Sequence, residues 1–188
     1  MSQEIEIEIK NMVTKDEFEK LCTVFSITSF TEQVNHYFET EDFAIKNNGA
    51  ALRIRYKNNT WTLTLKQPAE IGLLETHQQL SKEAASKMIE TGKPVEGQIA
   101  TILESFGIST AIKYFGSLTT KRSEIEYEGG LLVFDHSFYF HEDDYELEYE
   151  VDEESKKEAF LQLLSAHNIP IRPAQNKVQR FFLAKQHS

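Results

Sequence analysis

The sequence predicts an α+β protein: an antiparallel, closed or nearly closed eight-stranded β-barrel (a tunnel) with helices packed outside. Three observations predict it. Several segments alternate strictly between charged or polar residues and apolar residues, as β-strands do. Most predicted strands follow one another through short turns, which favours antiparallel neighbours. Helical patterns are few and lie between groups of strands. With 188 residues, the chain is expected to form a single domain over 1–188.

Local signals predict the elements of the first half. Residues 4–10 alternate perfectly and predict the first strand. Thr14 and Glu17 have the spacing of a capping box, which opens a helix to about residue 24. Beyond it, the pattern predicts a strand at 33–40, a turn at 47–49, and a hairpin whose strands at 51–57 and 60–66 are joined by Asn58 and Asn59.

The second half is predicted in the same way. Its elements are a strand at 70–80, a helix from Ser81 to about 89, a helical region at 96–106, an apolar stretch at 108–115, a hairpin at 117–140 turning at Gly129 and Gly130, and a strand at 144–151. Ser155 and Glu158 have the spacing of a second capping box, which opens a helix to about 167. The tail beyond Pro170 has no assigned structure, and the charged run at 141–144 is interpreted as a solvated turn.

Composition limits the classes of function. The formal net charge is −10, which argues against general nucleic-acid binding and against binding to anionic membranes. The single cysteine, Cys22, excludes an internal disulfide framework and favours a reducing, cytoplasmic location. No apolar run approaches the length of a membrane span, so we expect no membrane partner.

The charged faces of the strands carry the functional signal, because side chains two residues apart share a face. Carboxylates dominate two faces and arginines lead two others: Glu4, Glu6 and Glu8 before Lys10; Glu146, Glu148 and Glu150; Arg53 and Arg55 before Lys57; and Arg122 before Glu124, Glu126 and Glu128. One such strand is ordinarily a solvated face. If the apolar faces of all the strands pack outward under helices, the charged side chains instead turn inward.

An inward cluster of mixed charge implies a ligand, because unpaired buried charges are costly. Clustered carboxylates suit a hard divalent cation. Clustered Arg and Lys suit phosphate, to which Arg donates two parallel hydrogen bonds. A complex of Mg²⁺ with a polyphosphate satisfies both halves. The six histidines show no ligand spacing, so no catalytic role is predicted for them.

Short motifs along nearly the whole chain resemble one known family. They are Glu6-Ile7-Glu8-Ile9-Lys10, Tyr37-Phe38-Glu39-Thr40, Leu52-Arg53-Ile54-Arg55, Trp61 through Lys66, Lys121-Arg122, Asp135, Glu146-Leu147-Glu148 and Lys177. In this order they resemble the E-x-E-x-K signature and the later elements of the CYTH superfamily, the triphosphate tunnel metalloenzymes.

The resemblance implies a barrel whose tunnel binds a triphosphate with Mg²⁺ or Mn²⁺. It implies a metal-dependent triphosphatase that acts on inorganic tripolyphosphate or a small organic triphosphate. The implied metal ligands are Glu6, Glu8, Asp135, Glu146 and Glu148, and the implied phosphate-binding residues are Lys10, Arg53, Arg55, Lys66, Arg122 and Lys177. By the same resemblance, Lys66 and Tyr37 would assist the attacking water. Glu4, Glu75, Lys121, Glu124 and Glu150 are further candidates.

The sequence leaves alternatives open. The same residues would serve an adenylate cyclase that makes cyclic AMP and pyrophosphate from ATP, or a non-catalytic protein that binds polyphosphate or a nucleotide. The charged faces could also simply be hydrated. Glu150, in place of Glu146, could pair with Glu148 at the metal. Neither the choice between Mg²⁺ and Mn²⁺, the organic part of the substrate nor the oligomeric state follows from the sequence.

Overall fold

A computed structural model describes residues 1–108 and 112–188. Within these ranges the chain forms eight strands and six α-helices. The strands are β1 Ser2–Val13, β2 Thr31–Glu39, β3 Ala51–Lys57, β4 Thr60–Pro68, β5 Leu73–Leu80, β6 Lys113–Tyr127, β7 Gly130–Tyr139 and β8 Glu142–Val151. The helices are α1 Lys15–Val24, α2 Ala44–Asn47, α3 Lys82–Thr91, α4 Gln98–Ser105, α5 Lys157–Ala166 and α6 Lys177–His187. None of the described helices is both long enough and apolar enough to cross a lipid bilayer.

The strand order is β1–β5–β4–β3–β2–β6–β7–β8, and this order closes into a barrel. The predicted α+β fold with an antiparallel eight-stranded barrel is therefore confirmed. Backbone contacts divide the chain into two compact units. The first unit comprises Met1–Ile5 and Gln33–Leu118, and the second comprises Glu6–Glu32 and Thr119–Ser188. Each unit is described by itself below.

The first unit packs one face of its strands against helices. Leu52 and Ile54 of β3 and Leu63 and Leu65 of β4 are buried in one cluster with residues of α3 and α4, namely Ala85, Met88, Ile99 and Leu103. Because side chains alternate along a strand, Arg53 and Arg55 project from the opposite face. We call this helix-free strand face the inner face of the unit.

The second unit is built in the same way. Leu132 and Phe134 of β7 and Leu147 and Tyr149 of β8 form a buried cluster with residues of α1 and α5, among them Phe18, Leu21, Phe160 and Leu163. The intervening strand residues, such as Asp135 and Glu148, therefore lie on an inner face. The apolar halves of the alternating segments thus pack under helices, as predicted.

Two hairpins show how local chemistry sets the turns. Asn58 (φ +50°) and Asn59 (φ +60°) join β3 to β4, as predicted, in the left-handed conformation that two-residue hairpins favour. In the second hairpin the predicted turn was one residue too late: Tyr127 pairs with Gly130, so Glu128 and Gly129 form the turn. Gly130 is instead required in the strand, because a Cβ there would lie 2.6 Å from the Tyr149 ring.

The helix starts were predicted with mixed success. The capping box at Thr14 is confirmed: the Glu17 N–H donates to Thr14 Oγ1 (3.2 Å) and the Thr14 N–H donates to Glu17 Oε2 (2.8 Å). The box predicted at Ser155 is wrong. A 3₁₀ turn occupies Glu154–Lys156, α5 begins after it, and the Ser155 hydroxyl donates to Glu153 at 3.4 Å.

Two further predicted segments, at 47–49 and 108–115, can be compared with the structure. The predicted turn at 47–49 is the end of the short helix α2, where Gly49 has φ +69°. Part of the apolar stretch predicted at 108–115 lies outside the described residues, and β6 begins at Lys113.

The tail, which the sequence left unassigned, ends in α6. Asn11 anchors the segment before it: its Nδ2 donates to the Pro170 carbonyl (3.0 Å), and its Oδ1 accepts from the Arg172 N–H (2.6 Å). The Arg172 guanidinium also donates to both Glu17 oxygens, at 2.7 and 3.0 Å. Asn176 then caps α6 by accepting from the Gln179 N–H (3.0 Å). These contacts fix where Lys177, the first residue of α6, enters the second unit.

Candidate active site

The inner face of the first unit carries a ladder of charged and polar residues. In the strand register, Tyr37 of β2 lies opposite Arg53 of β3, and Arg53 lies opposite Thr64 of β4. Lys66 follows Thr64 at the next inner-face position of β4 and lies opposite Glu75 of β5. The two residues predicted to assist water, Tyr37 and Lys66, therefore lie on the strands that flank β3.

Glu75 is the acidic centre of this ladder. It is 5% exposed, and its Oε1 lies 2.6 Å from Lys66 Nζ. Burial opposes ionisation of Glu75, but the hydrogen bond from His77 and the charges of Lys66 and Arg53 hold its pKa far below the usual range. Glu75 is thus an anion that holds two cations and one histidine in place.

His77 is a site residue that the sequence reasoning missed. Its Nε2 lies 3.0 Å from Glu4 Oε1 and 3.1 Å from Glu75 Oε2, and its Nδ1 lies 2.9 Å from Thr64 Oγ1. The hydrogen bond to Glu75 raises the pKa of His77. One signal was present: His77 stands two residues after Glu75, so the two share a strand face.

The second unit brings most of the predicted acids together in two groups. One group contains Asp135, Glu146 and Glu148, and the other contains Glu6, Glu8 and Glu150. In each group one carboxylate oxygen per residue lies within 4.8 Å of the others. The register explains the division, because Glu150 lies directly opposite Glu8 while Glu146 lies opposite Met12.

The first acidic group is filled by the ammonium of Lys177. Lys177 Nζ lies 2.7 Å from Asp135 Oδ2 and also contacts the carboxylates of Glu146 and Glu148. Burial opposes the charge on Lys177, but Asp135, Glu146 and Glu148 together raise its pKa. These residues are all buried, so the ammonium contacts three carboxyl groups away from solvent.

Arg122 closes the same group from β6. Its Nε and Nη2 donate to the two oxygens of Asp135, at 2.7 and 2.6 Å, and its Nη2 also donates to Glu148 at 2.9 Å. Burial opposes ionisation of Asp135 and Glu148, but Lys177 and Arg122 hold the pKa values of both carboxyls low. This network is satisfied by the protein itself.

Arg180 was also missed by the sequence reasoning. Its Nη1 donates to Glu146 Oε2 (2.5 Å) and its Nε donates to Asp144 Oδ2 (3.0 Å). Asp144 also accepts from the Tyr139 hydroxyl (2.5 Å), and β8 begins at Glu142, so the interpretation of 141–144 as a solvated turn is wrong from Glu142 onward. The available signal was helical spacing, since Arg180 follows Lys177 by one turn of α6.

The negative charge of the second acidic group (Glu6, Glu8 and Glu150) is balanced by fewer cations than that of the first. Lys10 Nζ lies 2.9 Å from Glu8 Oε1, but Glu150 lies opposite Glu8 and among like charges. Burial, together with the charges of Glu148, Glu6 and Glu8, raises the pKa of Glu150 to about 7 despite the charge of Arg122. A bound cation relieves the crowding of three carboxylates, one of which has a raised pKa.

Two of the further candidates lie away from these groups. Lys121 is exposed on the face of β6 opposite to that of Arg122. Its Nζ lies 5.5 Å from the centroid of the ring of Phe138, a residue of β7. Glu124 is on the inner face of β6, but its side chain is 36% exposed and its carboxylate lies 3.9 Å from Arg122. Neither residue belongs to the acidic groups among the described residues.

The donor atoms decide which groups fit a hard divalent ion. Glu6, Glu8 and Glu150 offer oxygen ligands only, as Mg²⁺ and Mn²⁺ prefer. Asp135, Glu146 and Glu148 offer the same donors, but Lys177 already supplies the positive charge there. The third group, Glu4, Glu75 and His77, adds an imidazole nitrogen.

Comparison with known proteins places the chain in a family. The model of the CYTH domain family matches residues 4–182. The chain is 50% identical over 192 residues to a Bacillus subtilis (strain 168) protein named "Putative triphosphatase YjbK", with 100% of both chains covered. A crystal structure described as a "putative adenylate cyclase" from Bacillus halodurans is 43% identical, with a TM-score of 0.93 over 97% of this chain and 100% of that one.

A Hippeastrum protein described as a "putative adenylyl cyclase" with a dominant triphosphatase activity is 21% identical. It superimposes with a TM-score of 0.80 over 96% of each chain, which shows a shared fold. The family match over nearly the whole length and the 50% identity to the Bacillus subtilis protein agree with the motif order and with the barrel. The chain belongs to the CYTH domain family.

Proposed function

We propose that this protein is a metal-dependent triphosphatase, which hydrolyses a phosphoanhydride bond of inorganic tripolyphosphate or of a small organic triphosphate. One observation carries the proposal. Apart from Lys121, and from Glu39, which accepts hydrogen bonds from the first turn of α2, the charged strand residues of the family motifs lie on the strand faces opposite the two apolar clusters. A merely hydrated surface does not require both a compact carboxylate group and paired arginines at such positions.

Glu6, Glu8 and Glu150 would hold the divalent ion. Their oxygen atoms lie within 4.8 Å of one another, and burial together with neighbouring carboxylates raises the pKa of Glu150, a cost of ionisation that a cation offsets. When bound, Mg²⁺ or Mn²⁺ supplies positive charge that neutralises the phosphate oxygens. Lys10, which is paired with Glu8, orients that carboxylate and offers its remaining donors to phosphate.

The cations would bind and orient the phosphate chain. Arg53 and Arg55 occupy successive inner-face positions of β3, so they lie roughly 7 Å apart along the strand. Guanidinium groups bind phosphate oxygens with two parallel hydrogen bonds. Lys66, held by Glu75, would bind the phosphate that is attacked, and with Tyr37 would orient the attacking water. Arg122 and Lys177 would add positive charge in the second unit.

This division of labour matches the chemistry of phosphoryl transfer. The reaction needs in-line positioning and neutralisation of charge more than covalent participation by the protein. The acid-rich and arginine-rich inner faces supply groups for both tasks. No side chain is assigned a covalent role.

An adenylate cyclase is the second candidate, because the 43% identical Bacillus halodurans protein is described as a "putative adenylate cyclase". In that reaction the 3′-hydroxyl of ATP attacks the α-phosphate, and pyrophosphate leaves. The same phosphate and metal ligands would be used, so only the products distinguish the two reactions.

The test is product analysis with two substrates. Inorganic tripolyphosphate and ATP are each incubated with Mg²⁺ or Mn²⁺, and orthophosphate, pyrophosphate and cyclic AMP are measured. Wild type is compared with Glu8→Gln and with Glu158→Gln, a control on the exposed side of α5. Metal-dependent orthophosphate release that is lost only in Glu8→Gln supports the triphosphatase. Cyclic AMP as the main product identifies a cyclase, and binding without turnover identifies a receptor.

A further inference from the structure

The inner face of the first unit contains buried polar atoms that no described residue satisfies. Gln33 of β2 is 1% exposed, and neither its Nε2 nor its Oε1 has a hydrogen-bond partner among the described residues. Asn35, at 0% exposure, has an unpartnered Nδ2, and Arg53 has an unpartnered Nε in the same described set. Buried polar groups normally have partners, so each exception needs an explanation.

These three side chains form a row. Gln33 and Asn35 are successive inner-face residues of β2, and Tyr37, the next one, lies opposite Arg53 of β3. Successive positions on one strand face are roughly 7 Å apart. The row therefore begins at an arginine proposed to bind phosphate and extends along the strands to Gln33.

The orientation of Asn35 is fixed by its partner. Arg55 Nε lies 2.9 Å from Asn35 Oδ1, and a guanidinium can only donate hydrogen bonds. The carbonyl oxygen of Asn35 must therefore face Arg55, and the unpartnered atom is the donor Nδ2. Arg53 Nε and Asn35 Nδ2 are thus two donors, and ionised phosphate oxygens, which only accept, satisfy both.

Gln33 requires a ligand group other than phosphate. It has an unpartnered donor and an unpartnered acceptor, and a fully ionised phosphate cannot donate to its Oε1. A group that both donates and accepts, such as a sugar hydroxyl or the edge of a nucleobase, satisfies both atoms. Such groups occur in the organic part of an organic triphosphate and are absent from inorganic tripolyphosphate.

We propose that Gln33 is a specificity-determining residue that binds an uncharged donor–acceptor group of an organic triphosphate, next to the phosphate chain held by Arg53 and Asn35. The inference rests on the proposed function only in that a triphosphate occupies the inner face of the first unit. It narrows the substrate from any triphosphate to one with a polar organic part, such as a nucleoside triphosphate.

The test compares two ligands that differ only in the organic part. ATP has several donor–acceptor groups, whereas methyl triphosphate has none beyond its phosphates. Equilibrium affinities are measured by titration calorimetry with a chelator in place of Mg²⁺, so that metal-dependent hydrolysis does not consume the ligand, for wild type, Gln33→Met and Gln162→Met, the last being the same change at an exposed position of α5. Orthophosphate release is recorded in separate samples, and melting temperatures show whether each variant folds.

Wild type and Gln162→Met should bind ATP at least about tenfold more tightly than methyl triphosphate, and Gln33→Met should reduce that preference by about tenfold. Gln33→Met should not melt at a lower temperature than wild type, because it removes two unsatisfied buried atoms. If Gln33→Met keeps the wild-type preference, Gln33 contacts ordered water only and the proposal is wrong. If wild type shows no preference for ATP, the proposal also fails, whether or not Gln33→Met folds.

The two proposals fail separately. A Gln33-dependent preference for ATP without any orthophosphate release would refute the triphosphatase and keep this inference. Orthophosphate release with an ATP affinity that does not depend on Gln33 would keep the triphosphatase and refute this inference.

Discussion

Glu150 of β8 lies directly opposite Glu8 of β1, so two carboxylates face each other across paired strands. Like charges in this position destabilise a sheet. Glu6 adds a third carboxylate, because one of its oxygens lies within 4.8 Å of an oxygen of Glu8 and of Glu150. In our account this local repulsion is the signature of a cation site, and it gives the first prediction.

Glu150→Gln should have opposite effects on the metal-free and metal-loaded protein. At about pH 8, above the raised pKa of Glu150, removing one negative charge relieves repulsion, so the metal-free variant should melt about 2–4 °C higher than wild type. The same change removes a ligand, so the rise in melting temperature on adding Mg²⁺ or Mn²⁺ should shrink. Thermal unfolding with chelator and with each metal measures both effects. An undiminished metal-induced rise would exclude Glu150 as a ligand.

Lys177 should be essential to the stability of the second unit. It contacts three buried carboxylates, and removal of one partner of a buried ion network leaves uncompensated charge. Lys177→Met should therefore lower the free energy of unfolding by about 3–5 kcal/mol at pH 7. Urea unfolding measures this, with Lys20→Met on the exposed face of α1 as the control. A loss no larger than that of the control would show that the network is not stabilising.

The contact between Glu17 and Arg172 should make the anchoring of the tail dependent on pH. The hydrogen bond from Arg172 is the largest cause that lowers the pKa of Glu17 below 4.5. A carboxyl with a lowered folded-state pKa contributes stability above its unfolded pKa and loses it as the pH falls through the folded value. Glu17→Gln should cost about 0.5–1 kcal/mol at pH 7, a small effect because the pair is partly exposed.

The difference between wild type and Glu17→Gln should shrink as the pH falls below 4.5 and disappear below the lowered pKa of Glu17. Urea unfolding of both proteins between pH 3 and 7 measures it. A difference that stays constant over this range would show that the charge of Glu17 is not responsible.

Gly130 should be required for packing rather than for the turn. A Cβ at this position would lie 2.6 Å from the Tyr149 ring, whose hydroxyl donates to the Tyr127 carbonyl at 2.8 Å. Gly130→Ala should therefore destabilise the protein by about 1–3 kcal/mol, the usual cost of overpacking. Tyr149→Leu in the same background should recover part of the loss if the clash is the cause. Additive losses in the double variant would point elsewhere.

Much of the candidate site follows from a local rule. A period of two residues places Glu6 and Glu8, or Arg53 and Arg55, on one face whatever the rest of the chain does. The apolar side chains between them must pack somewhere, and helices such as α1 and α3 provide the cover. This is why the sequence could predict the barrel and which face of each strand carries the charged side chains.

The parts that could not be predicted depend on contacts between distant segments. The β1–β8 register decides that Glu150 joins Glu8 while Glu146 joins Lys177, and no local pattern sets a register. Arg180 reaches Glu146 only because Asn11 and Arg172 anchor the tail. His77 becomes a site residue because strand pairing brings Thr64, and the start of β1 brings Glu4, within hydrogen-bond distance of it.

The most direct test of the central claim is the rate of orthophosphate release from tripolyphosphate by Lys66→Gln, relative to wild type and to Lys20→Gln. Lys66 lies on an inner face and is held by Glu75, whereas Lys20 is exposed on α1. We expect kcat/KM with Mg²⁺ or Mn²⁺ to fall by about 100-fold or more in Lys66→Gln and to stay near the wild-type value in Lys20→Gln. Equal activity in the three folded proteins would contradict the account, because the inner-face cations would then not serve the reaction.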